Sequence, residues 1–330
     1  MIEEDPPVET KPSRARKIIM FPLSRIAIAF ILITIFTIPL GALPRQFSRD
    51  RFLRQAYLAV AAVLALFILG KWIERRKPAE YGVDPRTAVG DLVRGFVIGA
   101  AILSLVVGIL WAAGWYDVAR FGPGNETLER LGQALIFFLA VSVFEEVFSR
   151  GILFRLIEEG AGSWIAILIS SLIFGLAHVG NPNSSLLAGI AITIEAGILL
   201  AAAFMLTRNL WMPIGLHWSW NLFEGPVFGT PVSGQGFDVL IDATTKGPEV
   251  MTGGRFGPEA GLVALAVATL AGVWLLMLAV KAGNVVTPAW MRKLLGWPEE
   301  LPNQAPLGPA PLPRLSSYLP SRRRPRKPQP

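Results

Sequence analysis

Apolar residues run along this chain in blocks of about 18–22, separated by short segments rich in Arg, Gly and Pro. Blocks of that length suit membrane-spanning helices, which need about 20 apolar residues to cross a hydrocarbon core roughly 30 Å thick. The pattern predicts eight spans, at about 26–43, 55–73, 95–116, 131–156, 163–180, 185–206, 209–226 and 260–281. The expected fold is therefore all-α. It is a polytopic integral membrane protein whose helical domain, with an intramembrane cavity, occupies residues 18–285. The seventh block is the least regular, because Pro213, Gly215, Gly225 and Pro226 interrupt or bound it. The first is longer than a signal-peptide core and lacks a convincing cleavage site, so it reads as a retained span.

The polar flanks read differently. Residues 1–17 carry Pro6, Pro7 and Pro12 and end in Arg14, Arg16 and Lys17, which predicts a short disordered tail. Residues 298–330 are proline-rich and finish in Arg322-Arg323-Arg324-Pro325-Arg326-Lys327, a second disordered tail able to lie on anionic lipid. The loop at about 227–259 is rich in Gly, Pro and Thr and is expected to be irregular. Trp111, Trp115 and Tyr116 fall where an aromatic belt belongs, as do Trp211 and Trp290. Gly95 and Gly99 form a GxxxG pair that can let helices approach, although such pairs are common by chance.

Composition sharpens this picture. Hydrophobic residues make up 52% of the 330 and charged residues only 17%, below the roughly 25% usual for a soluble domain. The net charge of +7 sits at the ends and in short loops, which assigns it to orientation and excludes a nucleic-acid surface. With both termini placed in the cytoplasm, inner segments hold 23 of the 31 Lys and Arg. That bias favours the cytoplasmic (plasma) membrane with both ends inside, although the first outer loop breaks the rule with Arg45, Arg49, Arg51 and Arg54. The absence of Cys excludes disulfides, thiol catalysis and Cys-ligated zinc.

Candidate chemistry centres on Glu145-Glu146-x-x-x-Arg150, at the end of the apolar run Leu135 to Phe144. A charge at mid-bilayer costs about 2.5–3.5 kcal/mol even on insertion scales, so three within six positions require an account. Glu146 and Arg150 are i, i+4 on a helix with the acid first, the favourable order for an ion pair. Glu145 lies about 100° round the helix and is left free to act as a base. A buried salt bridge that merely fixes packing would explain Glu146 and Arg150 but not Glu145. The chain has two histidines, His178 and His217, and both lie in apolar blocks. His217 and Asn221 are i, i+4 and share a helix face, where they can donate two hydrogen bonds to one oxygen.

At 1.5 Å rise per residue, Glu145, His178 and His217 all fall in the middle half of the core and can converge. No HExxH is present. Glu145, His178, His217 and Asn221 can still ligate one divalent metal such as zinc through N and O atoms. Equally, Glu145 and His178 can hold a water without one, and the sequence leaves both open. Glu195, in the sixth block, is a further intramembrane acid that either faces the same cavity or pairs with a neighbouring helix.

The trio Glu145-Glu146-x-x-x-Arg150, Phe174-x-x-x-His178 and His217-x-x-x-Asn221 resembles the three motifs of the CPBP family, the CAAX-processing and bacteriocin-processing intramembrane proteases. The motif core spans about 131–226. The resemblance implies that Glu145 activates water and His178 shares it. It further implies that His217 and Asn221 stabilise the oxyanion and that Glu146 and Arg150 brace the helix. One departure is Ser149 before Arg150, where many members carry an aromatic; here Phe148 is one position earlier. The implied partners are membrane lipids and a lipidated or membrane-inserted peptide substrate. Two other classes compete: a family member kept for binding, as in immunity or self-protection, and a proton-coupled transporter using Glu145, Glu146 and Glu195. Against the transporter, no paired broken helices occur in two matching halves.

Overall fold

The structure, a computed structural model, describes residues 13–122, 126–237 and 240–296. Residues 1–12 and the basic tail 298–330 lie outside the described residues. The helices are α1 (Arg14–Ile19), α2 (Pro22–Ala42), α3 (Arg45–Ser48), α4 (Arg51–Ile68), α5 (Ala88–Ala112), α6 (Thr127–Glu146), α7 (Arg155–Ala161), α8 (Ser163–His178), α9 (Leu186–Thr207), α10 (Trp211–Leu222), α11 (Glu249–Thr252), α12 (Leu262–Lys281) and α13 (Ala289–Leu294). Arg14, Arg16 and Lys17, expected in a disordered tail, are helical in α1, which Ser13 caps by accepting from Arg16 N–H.

Among the described residues, six helical stretches are long and apolar enough to cross a membrane: Pro22–Ala42, Arg51–Glu74, Ala88–Ala112, Thr127–Ala161, Leu186–Thr207 and Leu262–Lys281. The molecule is thus a polytopic helical membrane protein. The other two expected spans are helical and apolar but shorter, with 16 residues in α8 and 12 in α10. Twelve residues rise only about 18 Å, short of the core thickness. α10 is extended by a π-helical turn, Phe223–Val227, with Pro226 inside it. The third span stops at Ala112 because Gly114 takes φ +72, the left-handed conformation that ends helices. Beyond it, Tyr116 is buried and its hydroxyl donates to Phe228 O at 2.7 Å, so it is a packing residue rather than part of an aromatic belt.

The loop expected to be irregular carries a strand. β1 (Tyr116–Phe121) pairs antiparallel with β2 (Ile241–Thr245), from Tyr116 opposite Thr245 to Phe121 opposite Ile241. This ribbon ties the end of α5 to the segment that follows α10.

α9 is the most buried of the spans, packed between α8 and α12. Its run Leu199 to Phe204 has nearly no exposure, and the small residues Ala201, Ala202 and Ala203 let neighbours close on it. α10 is held against α5 by glycine. A Cβ on Gly95 would lie 2.0 Å from Met212 O, and one on Gly99 2.4 Å from Leu216 O, so only hydrogen fits there. The GxxxG pair therefore does set a helix contact. Gly95→Ala should cost about 1–3 kcal/mol through overpacking against backbone. Thermal unfolding in detergent measures it, and wild-type stability would mean that the two helices separate freely.

Buried ion pairs close the end of the bundle near α7. Arg25 reaches Glu74 at 3.0 Å and Glu159 at 2.6 Å, Arg155 reaches Glu74 at 2.8 Å, and Arg76 also pairs with Glu159. Arg208 pairs with Glu158 at 2.6 Å, and Ser163 donates to the same carboxylate. Each carboxylate has several donors, the condition under which buried charge is tolerated.

Candidate active site

Glu145 and Glu146 end α6, and the chain continues as a π-helix, Val147–Phe154. Segments of this kind are rare and frequent at functional sites, because the extra residue per turn re-aims side chains. Here Arg150 reaches back to Glu146 Oε1 at 3.0 Å, with both side chains fully buried. Its other nitrogen donates to Ala196 O and Gly197 O of α9 at 3.3 and 3.2 Å, and its guanidinium lies 4.7 Å from the Phe174 ring centroid. One arginine therefore links the α6 end to α8 and α9.

The same Glu146 oxygen accepts from His217 Nδ1 at 2.9 Å. That bond sets the imidazole's orientation and leaves Nε2 facing Glu145 Oε2 at 3.9 Å. His178 is fixed in a parallel way. Its Nδ1 lies 2.8 Å from Phe174 O, a carbonyl that can only accept, so Nδ1 carries the proton. His178 Nε2 then faces Glu145 Oε2 at 3.8 Å with its lone pair. Glu145 Oε2 is shielded from solvent and has no hydrogen-bond partner, whereas Glu146 Oε1 has two.

Glu145, His178, His217 and Asn221 all line one cavity of about 220 Å³. The structure thus brings four of the six expected residues to the cavity and holds Glu146 and Arg150 buried behind them. Phe137, Phe138, Trp220 and Phe237 form its aromatic wall. Glu195 does not line it. That residue is 1% exposed, neither of its carboxylate oxygens is bonded, and among the described residues it has no ion-pair partner. Ser149 is buried outside the cavity lining, and Phe148 stacks on Phe144 without being part of that lining.

Glu259 was not foreseen. It stands on the cavity wall, its Oε1 accepting from Ser233 N–H and Oγ–H at 2.7 Å each. Its own N–H donates to Glu224, whose other oxygen accepts from Trp220 Nε1. This clamp fixes the loop after α10 across the cavity. Nothing in the local sequence Gly257-Pro258-Glu259 marks it, because the partners lie 26 and 35 positions away.

The residues do not fit a metal as placed. Among the described residues no group of three or more His, Cys, Asp or Glu is arranged to hold one. The separations of 3.8 and 3.9 Å also exceed the roughly 3.4 Å between two ligands on a tetrahedral zinc. They suit a water bridging Glu145 Oε2 to an Nε2 atom.

The polytopic helical fold thus brings a carboxylate and two histidines together inside it. Comparison with known proteins bears on the class. Residues 127–223 match the family described as "Type II CAAX prenyl endopeptidase Rce1-like". A protein of Bacillus subtilis (strain 168) named "Putative membrane peptidase YdiL" is 29% identical over 142 residues, 38% of this chain and 56% of that protein. The chain thus spans little more than half the length of that curated relative. No solved structure matches. The motif-bearing region is thus similar to the CAAX prenyl endopeptidase family and to a protein named as a membrane peptidase.

Proposed function

We propose that the protein is an intramembrane endopeptidase that hydrolyses a peptide bond of a lipidated or membrane-inserted substrate, of CAAX type in the first instance. The observation that carries this reading is the approach of both histidine Nε2 atoms to one unbonded oxygen of Glu145 inside a cavity. Glu145 takes a proton from water as the water oxygen attacks the scissile carbonyl carbon, and later delivers it to the leaving amine. The lone pair of His178 Nε2 orients that water. His217 and Asn221 receive the oxyanion, His217 through Nε2–H in the imidazolium form that Glu146 balances. Glu146 and Arg150 hold His217 and the helix end in register. The aromatic wall suits a prenyl or other apolar group, and both termini lie in the cytoplasm on the Lys and Arg bias.

Incubating the purified protein with a prenylated CAAX peptide and a panel of membrane peptides tests the reading. Cleavage of none would overturn it. Asn221→Ala should lower kcat about 10²–10³-fold with little change in KM, because the amide acts on charge present only in the transition state. Turnover of the wild type should also survive a chelator. If instead Asn221→Ala lost bound metal and regained activity with excess metal, the oxyanion role would be wrong.

A further inference from the structure

The outer loop that broke the charge rule supplies two arginines to the cavity. Arg51 and Arg54 sit one turn apart in α4 and line the same cavity as Glu145. Both are exposed, and neither has an ion-pair partner among the described residues. Asp50, next to Arg51 in sequence, caps α4 by accepting from Leu53 N–H at 2.8 Å. Arg51 is nonetheless held in place. Its guanidinium lies 4.8 Å from the Phe237 centroid and 5.6 Å from that of Phe137, two rings of the cavity wall. Aromatic faces engage the flat side of a guanidinium and leave its N–H edge available. Cationic groups thus share the cavity with Glu145 and Glu259, so an anion entering it is repelled by the acids and drawn to the arginines.

Resting on the peptidase reading above, we infer that Arg51 and Arg54 form a carboxylate-binding subsite that takes the free C-terminus of the peptide substrate. A guanidinium fork matches a carboxylate in geometry as well as charge. Fixing the chain end at the arginines sets the distance from the C-terminus to the bond presented at Glu145. The protein would then select substrates by a free chain end close to the cleavage site.

Two arms test this. In the first, wild type and the Arg51→Gln/Arg54→Gln double variant are given one prenylated CAAX peptide as the free acid and as the C-terminal amide. Wild type should show a KM about tenfold or more lower for the acid, and the double variant should treat the two alike. The second arm needs no turnover: Glu145→Gln protein in nanodiscs is titrated with the same two peptides by calorimetry. It should bind the acid tighter by a similar factor, and the added arginine substitutions should remove the difference. Equal binding of acid and amide would overturn the inference, as would a preference that survives loss of both arginines. Equal binding with tighter association to phosphatidylglycerol nanodiscs would assign the arginines to lipid headgroups and overturn it too. Discrimination in binding without cleavage by wild type would leave the subsite standing and sink the peptidase reading. Should the double variant fail to fold, Arg54→Gln alone replaces it, with the same outcomes.

Discussion

Glu145→Gln should abolish peptide cleavage while leaving the protein folded. Gln keeps the size of the side chain and one carbonyl oxygen, so the packing of α6 against α4 and α10 is undisturbed. What it loses is a group able to accept a proton from water. General-base steps contribute about 10²–10⁴-fold, and the Gln amide cannot supply one. Glu146 Oε1 is committed to Arg150 at 3.0 Å and to His217 at 2.9 Å. His178 and His217 both face the lost oxygen but are built as its partners, each tied by Nδ1 to another group. The expected result is turnover at or below about one per cent of wild type, with unchanged circular dichroism and melting temperature. Near-normal turnover by the folded Gln variant would remove Glu145 from the mechanism.

Much of this site was legible because helical periodicity converts spacing into geometry. The i, i+4 spacing of Glu146 and Arg150 foretold their ion pair, and that of His217 and Asn221 foretold a shared cavity face. Depth counting from the span ends was enough to bring His178 and His217 to Glu145. The bond from His217 to Glu146 was not legible, because it joins helices 71 positions apart and no local pattern encodes that pairing.

Charge was harder to read than apolar pattern. Arg25, Arg155 and Arg208 were counted as orientation signals, yet the fold buries all three in ion pairs with Glu74 and Glu158. Composition cannot separate a charge that faces lipid headgroups from one that closes a bundle. The same ambiguity hid Arg51 and Arg54, which entered the count as an anomaly and emerge on the cavity wall. The π-helix after Glu146 was equally invisible, since its residues suit an α-helix as well.

Arg150→Ala should do more harm than any cavity substitution away from Glu145, because it acts on stability and activity together. Arg150 is fully buried and serves Glu146, two carbonyls of α9 and the face of Phe174 at once. Removing it leaves the Glu146 carboxylate in the interior with His217 as its one remaining bonded partner, and breaking a buried pair in this way costs about 3–5 kcal/mol. Low yield, a lower melting temperature and loss of turnover are the expected results. Arg150→Lys should rescue little, since an ammonium cannot hold a carboxylate and two carbonyls in one plane. The double variant Glu146→Gln/Arg150→Met separates the two effects. Without a stranded charge it should recover much of the stability. It should stay inactive, because His217 has lost the carboxylate that sets its orientation. An Arg150→Ala protein as stable as wild type would show that the ion pair does not hold these helices together. A fully active double variant would show that His217 needs no anchor.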